Sequence, residues 1–459
     1  MKLDVVIKGA KVFTSQEEFI ADIGIKGEKI VALGSSLTGE EVVYANDKYV
    51  FPGILDVHTH FQLPMAGTVS CQDFRNGTLA AAFGGVTTII DFSTQQKGET
   101  LLASFNSRLE EMKGNCCIDY SLHIGITDWK EKTKQEMADF VARGLPSFKM
   151  FMIYRSRGLQ SDDAALFEAL EEAKKLGAII SVHAENDSLL ELFIKRYQPL
   201  SKKYGAYAHA LSRPDFIEEE AVLRAIKWAE VTGGDLYLVH LSSGKSALAV
   251  KEARNRGVKV YGETCPQYLL LDDSLFLKPF GHLYASCPQI KKKKDNEILW
   301  QALSKGELQV VATDTCTFNK AQKDLWGGDF TKIPYGLPGV ETLLPLIYTY
   351  GVGEKRITTH QLISLLSTNP AKIFGLYPRK GTIQINSDAD LVIFNPAQKI
   401  NLSYKNLKTN CDWSPYEGFQ IMGYPESVIC RGKFVIRDNN FVGDFNWGNL
   451  LLRSPYATL

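Results

Sequence analysis

Eight short apolar runs alternate with helical patterns through the middle of the chain, between residues 52 and 374. The runs are GILDV (53–57), VTTIIDF (86–92), DYSLHI (119–124), PSFKMFM (146–152), AIISVH (178–183), LYLVH (236–240), VKVYGE (258–263) and LQVVATD (308–314). Most intervals space their apolar residues three or four positions apart, which is the period of an amphipathic helix. Strands that are apolar along their whole length suit a parallel sheet, because both of its faces are covered. The sequence therefore predicts an α/β fold with a TIM-like (β/α)8 barrel over residues 52–374.

The two ends of the chain have a different texture, in which apolar and polar residues alternate and turns are frequent. It is clear in DVVIKGAKVF and EVVYANDKYVF near the start, and in KGTIQINSDADLVIFNP and SVICRGKFVIRDNNFVG near the end. Such alternation is typical of short antiparallel strands. Because chain ends often lie close together, we expect residues 1–51 and 375–443 to build one small β-sandwich domain. Residues 444–459 form an apolar C-terminal tail, which packs either on a neighbouring subunit or back on its own barrel.

Charge and cysteine usage limit the partners that this chain is expected to have. Lys plus Arg and Asp plus Glu are both 52, so the net charge is zero and nothing favours nucleic acid or an anionic membrane. No window of about 18 residues is uninterruptedly apolar, as a membrane span would require. The charged start, MKLDVVIK, lacks the apolar segment of a signal peptide. The eight cysteines include no CxxC pair, which indicates reduced thiols and a cytoplasmic protein.

Side chains that bind metals follow the ends of several predicted strands. Residues i and i+2 of a strand point the same way, so the HxH pair after the first run aims two imidazoles at one point. HxH alone is a weak signal, since two hydrogen-bonded core histidines would look the same. Active sites of such barrels lie at the carboxyl ends of the strands, however, and four of the eight histidines fall there. The combined set predicts a metal site, and it comprises His58, His60, Lys149, His183, His240 and Asp314.

Several motifs taken together resemble one family of enzymes. HTHFQLP, SFKMFMIY, VHAEN, VHLSS, ETCPQYL and the ATD strand end are similar to those of the cyclic amidohydrolases, specifically the hydantoinase/dihydropyrimidinase branch. The resemblance covers essentially the whole chain, including both β-rich ends. It implies a hydrolase that opens a small cyclic amide or imide at a ring C–N bond. It also implies assembly as a homotetramer or homodimer.

The resemblance further implies a cofactor and roles for individual residues. The cofactor would be two zinc ions per subunit, bridged by a hydroxide and by Lys149 carboxylated on its amine. Asp314 would carry a proton from the nucleophile to the leaving nitrogen, and Tyr154 would hydrogen-bond the developing oxyanion. The implied ligands are His58, His60 and Asp314 for one ion and His183 and His240 for the other.

The edge that would recognise the substrate ring departs from the family pattern. Thr313-Asp314-Thr315 replaces Ser-Asp-His, SCPQI at 286–290 replaces Ser-Pro-Pro-x-Arg, and IPYG at 333–336 replaces Ile-Pro-Asn-Gly. In the family, the backbone at the positions of Ser286 and Tyr335 grips the cyclic imide. Since the ligand positions are all intact, these departures indicate retained hydrolysis of an altered ring.

Other members of the superfamily match less well. Dihydroorotase typically has an arginine after HxH, where this chain has Phe61 and Gln62. Allantoinase usually has Glu-Pro-Gly shortly after HxH, and it stays open as an alternative substrate class. The collapsin response mediator proteins share the fold but have lost metal ligands. A non-catalytic interaction protein is therefore the alternative from another functional class.

Overall fold

The structure, a computed structural model, describes residues 2–454, and its strands fall into three groups. The first segment forms β1 (Leu3–Phe13), β2 (Glu18–Lys26), β3 (Lys29–Gly34), β4 (Gly39–Tyr44) and β5 (Tyr49–Pro52). The middle segment forms β6 (Ile54–Asp56), the hairpin β7 (Pro64–Met65) and β8 (Thr68–Val69), β9 (Val86–Thr94), β10 (Asp119–Gly125), β11 (Ser147–Phe151), β12 (Ile179–His183), β13 (Asp235–Leu238), β14 (Val260–Thr264) and β15 (Val310–Val311). The last segment forms β16 (Leu391–Asn401), β17 (Gln420–Cys430), β18 (Lys433–Arg437) and β19 (Asn440–Phe441).

The α-helices lie mainly between the strands of the middle segment. They are α1 (Phe74–Phe83), α2 (Leu101–Met112), α3 (Glu131–Ala142), α4 (Asp163–Leu176), α5 (Asp187–Tyr197), α6 (Ser201–Tyr204), α7 (Tyr207–Leu211), α8 (Asp215–Thr232), α9 (Gly244–Asn255), α10 (Pro266–Leu270), α11 (Lys293–Ser304), α12 (Lys320–Lys323), α13 (Leu343–Ile347), α14 (Thr359–Ile363) and α15 (Asn369–Ile373). Side-chain caps set several boundaries: Asp162, for example, accepts from the Ala165 N–H at the start of α4. Within residues 2–454, none of these helices is both long and apolar enough to cross a membrane.

Eight parallel strands form the barrel wall in chain order, from β6 and β9 through β15. The wall closes between its first and last strands, where Thr59 bridges Thr315 and the His60 N–H donates to the Thr315 carbonyl at 2.9 Å. The predicted (β/α)8 architecture is confirmed. The last strand, Val310–Val311, is shorter than the predicted run 308–314: the Ala312 N–H still donates to the Thr264 carbonyl at 3.1 Å, and Asp314 then takes a left-handed conformation (φ +52°).

Strands from both chain ends form one nine-stranded sheet, which confirms that the two ends build a single β-rich unit. The ends meet at β5, which runs parallel to β1 and antiparallel to β16. The strands are hydrogen-bonded in one continuous sheet that encloses its own core, including Ile7, Ile23, Leu391 and Ile429. Burial of these alternating aliphatic side chains explains why the two distant segments come together.

A buried ion cluster joins this sheet to the bottom of the barrel. The Lys380 ammonium, fully enclosed, lies 2.6 Å from the carboxylates of both Asp119 and Asp390 and 3.0 Å from Asp388. Arg431 donates to Asp119 at 2.9 Å. Each buried carboxylate has a cation beside it, as buried charges require.

The described part of the tail folds back on its own barrel. The Leu451 N–H donates to the Tyr120 carbonyl at 2.7 Å, and Arg453 donates through its backbone to Gly144 and through its guanidinium to Leu122. Leu451 and Arg453 are both buried. The intrachain alternative therefore holds for residues 444–454, while residues 455–459 of the predicted tail lie outside the described residues.

Candidate active site

The six residues singled out in the sequence meet at one cavity at the carboxyl ends of the barrel strands. The cavity has a volume of about 980 Å³ and opens between the loops that follow the strands. Its lining includes His58, His60, Lys149, His183, His240 and Asp314. These residues come from five different strands or strand ends, so only the closed barrel brings them together.

The first strand end contributes two imidazoles that face one carboxylate. His58 Nε2 lies 3.2 Å and His60 Nε2 3.3 Å from Asp314 Oδ1. On its other side, His58 Nδ1 donates to Glu263 Oε1 at 2.7 Å. The His60 ring stacks on Phe92, with centroids 4.7 Å apart. Both imidazoles are therefore held in place from behind, with a ring nitrogen aimed at Asp314.

The second pair of imidazoles comes from β12 and from the end of β13. The His183 and His240 rings lie 4.4 Å apart. His183 Nε2 is bonded to Glu185 at 2.8 Å, and Arg213 in turn donates to Glu185 at 2.7 Å. His240 Nδ1 is buried and has no hydrogen-bond partner among the described residues. Burial lowers the pKa of both imidazoles, so each is kept neutral, the form that binds metals.

Lys149 lies inside the barrel with its amine unsatisfied. The side chain is 1% exposed, and its Nζ has no hydrogen-bond partner within residues 2–454. Burial lowers the pKa of the amine to about 7, so the neutral form is readily available. A buried, unpaired amine among imidazoles is costly as it stands. It indicates a position that is completed by a further group.

The donor set fits a metal centre. Ligand atoms of His58, His240 and Asp314 lie within 4.8 Å of one another. Neutral imidazoles with a carboxylate are the ligands that zinc takes in hydrolases. Carboxylates bonded to the far nitrogen of His58 and of His183 match the way that metal-binding histidines are oriented. The unsatisfied atoms of Lys149 and His240 lie in the same cluster. Histidines with a merely structural role would instead have their buried nitrogen atoms hydrogen-bonded within the protein.

The position of Asp314 is set by its left-handed backbone and by hydrogen bonds to the first barrel strand, which act as a clamp. The clamp is Asp56, which accepts from the Thr313 hydroxyl at 2.5 Å and from the Thr313 N–H at 3.1 Å. Burial raises the pKa of Asp56 to about 7. Left-handed backbone, found at Asp314 and at His240 (φ +41°), is uncommon for residues other than glycine and clusters at functional sites. Threonine at 313 thus keeps a hydroxyl bond where the family pattern has serine.

Tyr154 lines the cavity beside the imidazole of His183. Its ring centroid is 5.4 Å from that of His183, and its backbone is left-handed (φ +72°). Burial raises the pKa of the phenol, so the hydroxyl stays protonated and able to donate. This is the protonation state that an oxyanion donor needs.

The residues of the expected ring-recognition edge have different positions. Tyr335 lines the cavity, but its ring stacks on His209 at 4.7 Å and its hydroxyl donates to the Phe330 carbonyl at 3.1 Å. Ser286 is buried behind the wall, and its carbonyl accepts from His209 Nε2 at 2.9 Å. Cys287, the next residue, lines the cavity instead. The Tyr335 ring thus forms part of the wall, with its polar end turned away.

Several residues that organise the site were missed in the sequence. Glu263 ends the seventh run and Glu185 follows His183 by two positions, so an acid near a strand end was a usable signal. Arg213 and His209 lie in helical and loop segments, where no local pattern marks them. Besides its bond to His58, Glu263 accepts hydrogen bonds from the Tyr237 hydroxyl and the His240 N–H.

The fold and the site together define a metal-dependent hydrolase of the barrel type, and the chain belongs to the amidohydrolase family, whose model matches residues 49–435. It is 42% identical to the D-hydantoinase of Geobacillus stearothermophilus, over 99% of this chain and 97% of that protein. It is 36% identical to the dihydropyrimidinase of Rattus norvegicus, over 98% and 89% of the two chains. The crystal structure of dihydropyrimidinase from Brevibacillus agri matches with a TM-score of 0.97 and 40% identity, over 98% of this chain and 99% of that one. The predicted hydantoinase/dihydropyrimidinase branch is confirmed.

Proposed function

We propose that this protein hydrolyses a ring C–N bond of a small cyclic amide or imide, as a hydantoinase or dihydropyrimidinase does. The observation that carries the proposal is the convergence of six ligand-type residues on the cavity at the barrel mouth. Relatives named D-hydantoinase and dihydropyrimidinase, similar along the whole chain, support the reaction class.

The metal centre of the proposal uses the residues that the barrel brings together. His58, His60 and Asp314 would hold one zinc ion and His183 and His240 the other. Lys149 would bridge both after its neutral amine attacks CO₂, forming a C–N bond and releasing one proton to leave a carbamate. Zinc bound there supplies hydroxide near neutral pH and polarises the ring carbonyl. The burial of Lys149 and its unpaired Nζ support this role.

Two side chains are assigned to the chemistry. The Asp314 carboxylate accepts the proton of the attacking water and returns it to the ring nitrogen as the C–N bond breaks. The Tyr154 hydroxyl donates to the oxygen of the attacked carbonyl while negative charge develops on it. The net reaction adds one water across the amide bond. Both groups line the same cavity, which supports the pairing of these roles.

Substrate choice is assigned to the edge at Ser286, Cys287 and Tyr335, of which Cys287 and Tyr335 line the cavity and Ser286 lies behind them. The Ser286 carbonyl already accepts from His209, so the backbone at Tyr335 and Gly336, which line the cavity, is the polar group offered to a ring. Recognition by hydrogen bonds discriminates sharply, because a mismatched ring leaves buried polar groups unpaired. We therefore propose a ring that differs from simple hydantoins, with an allantoin-type substrate as the alternative.

A non-catalytic interaction protein of the same fold is the competing proposal. A non-catalytic protein would need neither a buried lysine with an unsatisfied amine nor histidines oriented by carboxylates. Both features are present in this chain. They favour the enzyme over a scaffold.

The test is metal analysis joined to a substrate screen. The purified wild-type protein is expected to carry about two zinc ions per chain and to hydrolyse at least one of a panel of hydantoins, dihydropyrimidines, allantoin and other cyclic amides. Lys149→Ala should lose most metal and activity, and short carboxylic acids should restore part of the activity. Lys132→Ala, on the exposed face of α3, is the matched control. Full metal content in the untreated Lys149 variant would contradict the carbamate, and metal-free wild type without hydrolysis would favour the scaffold.

Assembly and location complete the proposal. Free thiols at all eight cysteines support a reducing compartment such as the cytoplasm. Similarity to the hydantoinase branch supports a homotetramer or homodimer. Light scattering of the purified enzyme decides between these and a monomer.

A further inference from the structure

Two cysteines from distant parts of the chain, Cys71 and Cys411, lie close together at the surface. The Cys71 thiol donates to the Asn410 carbonyl at 3.0 Å, and Asn410 Nδ2 donates back to the Cys71 carbonyl at 3.1 Å. The Cys71 N–H donates to the Thr317 carbonyl at 2.8 Å and the Cys411 thiol donates to the carbonyl of the adjacent Phe318 at 3.6 Å, so both cysteines are held beside the same short segment. Both line one surface groove of about 410 Å³ and both are half-buried. A small oxidant in solvent therefore reaches this pair.

The other cysteines have different surroundings. Cys116 and Cys117 are neighbours in the sequence, but both are buried, and burial raises the pKa of each thiol. Cys287 lies in the active-site cavity, where burial raises its pKa to about 11. By contrast, the neighbouring Cys411 side chain lowers the pKa of Cys71. Because the thiolate is the reactive form of cysteine, Cys71 reacts first.

We propose that Cys71 and Cys411 are a redox modification site, at which a hydroperoxide forms a reversible disulfide. The Cys71 thiolate attacks one oxygen of hydrogen peroxide, the O–O bond breaks, and Cys71 becomes a sulfenic acid while the leaving hydroxide is protonated to water. The Cys411 sulfur then attacks the sulfenic sulfur, so the S–S bond forms and the S–O bond breaks. The leaving hydroxide takes the Cys411 proton. Two thiols and one peroxide thus give one disulfide and two waters.

The disulfide joins a loop that borders the active-site cavity to a second segment outside it. Cys71 lies at the end of the loop that contains the hairpin β7–β8, and Leu63 and Met65 of this loop line the cavity. Cys411 lies in the connection between β16 and β17, which Trp413 fastens to the Phe318 carbonyl at 2.8 Å. Oxidation therefore restricts the motion of the hairpin β7–β8 beside the cavity. The disulfide links the end of the hairpin loop, at Cys71, to the segment that Trp413 holds in place.

The experiment treats the full-length wild-type protein with hydrogen peroxide, alkylates the remaining thiols and maps peptides without reduction. The expected product is one cross-linked pair of peptides containing Cys71 and Cys411, lighter by two hydrogens and separated by dithiothreitol. Hydrogen exchange of residues 61–72 should be slower in the oxidised protein than in the reduced one. Neither measurement uses a substrate, so failure here is distinct from failure of the proposed hydrolysis.

Three serine variants sharpen the result. Cys71→Ser and Cys411→Ser should each abolish the cross-linked pair, whereas Cys287→Ser should retain it. Peroxide treatment that modifies Cys287 while Cys71 and Cys411 stay alkylatable would overturn the proposal. Separate sulfinic acids on the two cysteines without a cross-link would also overturn it. The wild-type map decides the question even if a serine variant fails to fold.

Discussion

His58 is held from behind by Glu263, with Nδ1 and Oε1 2.7 Å apart, so that its Nε2 faces Asp314. The same carboxylate accepts from the His240 N–H at 2.9 Å. Glu263 thus orients the imidazole of His58, at the end of the first barrel strand, and positions the backbone of His240, at the end of the sixth. In the proposed metal centre, this residue would link the His58 ligand to the His240 ligand.

Glu263→Gln is expected to reduce metal affinity or turnover by about 10–100-fold, the usual effect of losing a carboxylate behind a metal-binding histidine. The amide keeps the shape but is a weaker acceptor for the His58 N–H. Zinc titration followed by kcat measurement checks this. Glu252→Gln, exposed on α9, is the control, and unchanged zinc affinity with unchanged kcat would remove Glu263 from the site.

Asp314→Asn should lower kcat by about 10²–10⁴-fold, because an amide cannot accept and return a proton. The comparison requires protein with full metal content, since Asp314 is also a proposed ligand. Asp47→Asn is a matched control: Asp47 is exposed and also left-handed (φ +61°). Turnover near that of the wild type would exclude Asp314 as the proton carrier.

Tyr335 offers a test of ring selection. Wild-type protein should be weakly active on simple hydantoins and dihydrouracil, with kcat/KM rising in Tyr335→Asn because the wall recedes. Loss of the ring stacked on His209 should also cost about 3–5 kcal/mol of stability, as aromatic truncations do. Tyr335→Phe removes only the bond to Phe330, costs about 1 kcal/mol, and should leave selectivity unchanged. Efficient wild-type hydrolysis of dihydrouracil, unimproved by asparagine, would contradict the idea.

Lys323 should make stability depend on pH. It is fully buried, with Nζ donating to the Ala285 carbonyl at 2.9 Å, and burial lowers its pKa to about 7. In the unfolded chain the amine titrates near pH ~10, so between these values the unfolded state binds the extra proton. This lysine's contribution to stability is therefore fully present above the unfolded pKa and is lost as pH falls through the folded pKa.

Lys323→Met should remove this dependence. The free energy of unfolding of the wild type, measured relative to the variant, should rise by roughly 1.4 kcal/mol per pH unit between about pH 7 and pH 9. Lys320→Met, exposed on the same helix, serves as the control. Parallel pH profiles for wild type and Lys323→Met would show that the lysine does not titrate in this range.

The tail contacts predict that deleting residues 444–459 destabilises the barrel. The deletion removes the bonds of Leu451 to Tyr120 and of Arg453 to Leu122 and Gly144. The Tm should fall, whereas deleting residues 455–459 alone keeps these bonds. If the longer deletion instead shifts a tetramer to dimers at unchanged Tm, the tail acts mainly between subunits.

Much of the architecture was predictable because it follows from local pattern. The apolar runs located the eight barrel strands, and alternation located the strands of both chain ends. The boundaries at residues 52 and 374 stay predictions. The apolar run at 308–314 predicts one strand, but the strand comprises only Val310–Val311, and the left-handed backbone at Asp314 has no signal in the local sequence.

The sequence by itself determined which residues end the barrel strands and which of them bear ligand atoms. Strand periodicity and the common direction of parallel strands place those ends at one edge whatever the loops do. Tertiary structure alone decided that Glu263 supports His58, that Tyr335 turns its hydroxyl into the wall, and that Cys71 meets Cys411. Each of these depends on contacts between segments that are remote in the chain. No local propensity encodes them, since the free energy of such a contact exists only once the barrel has closed.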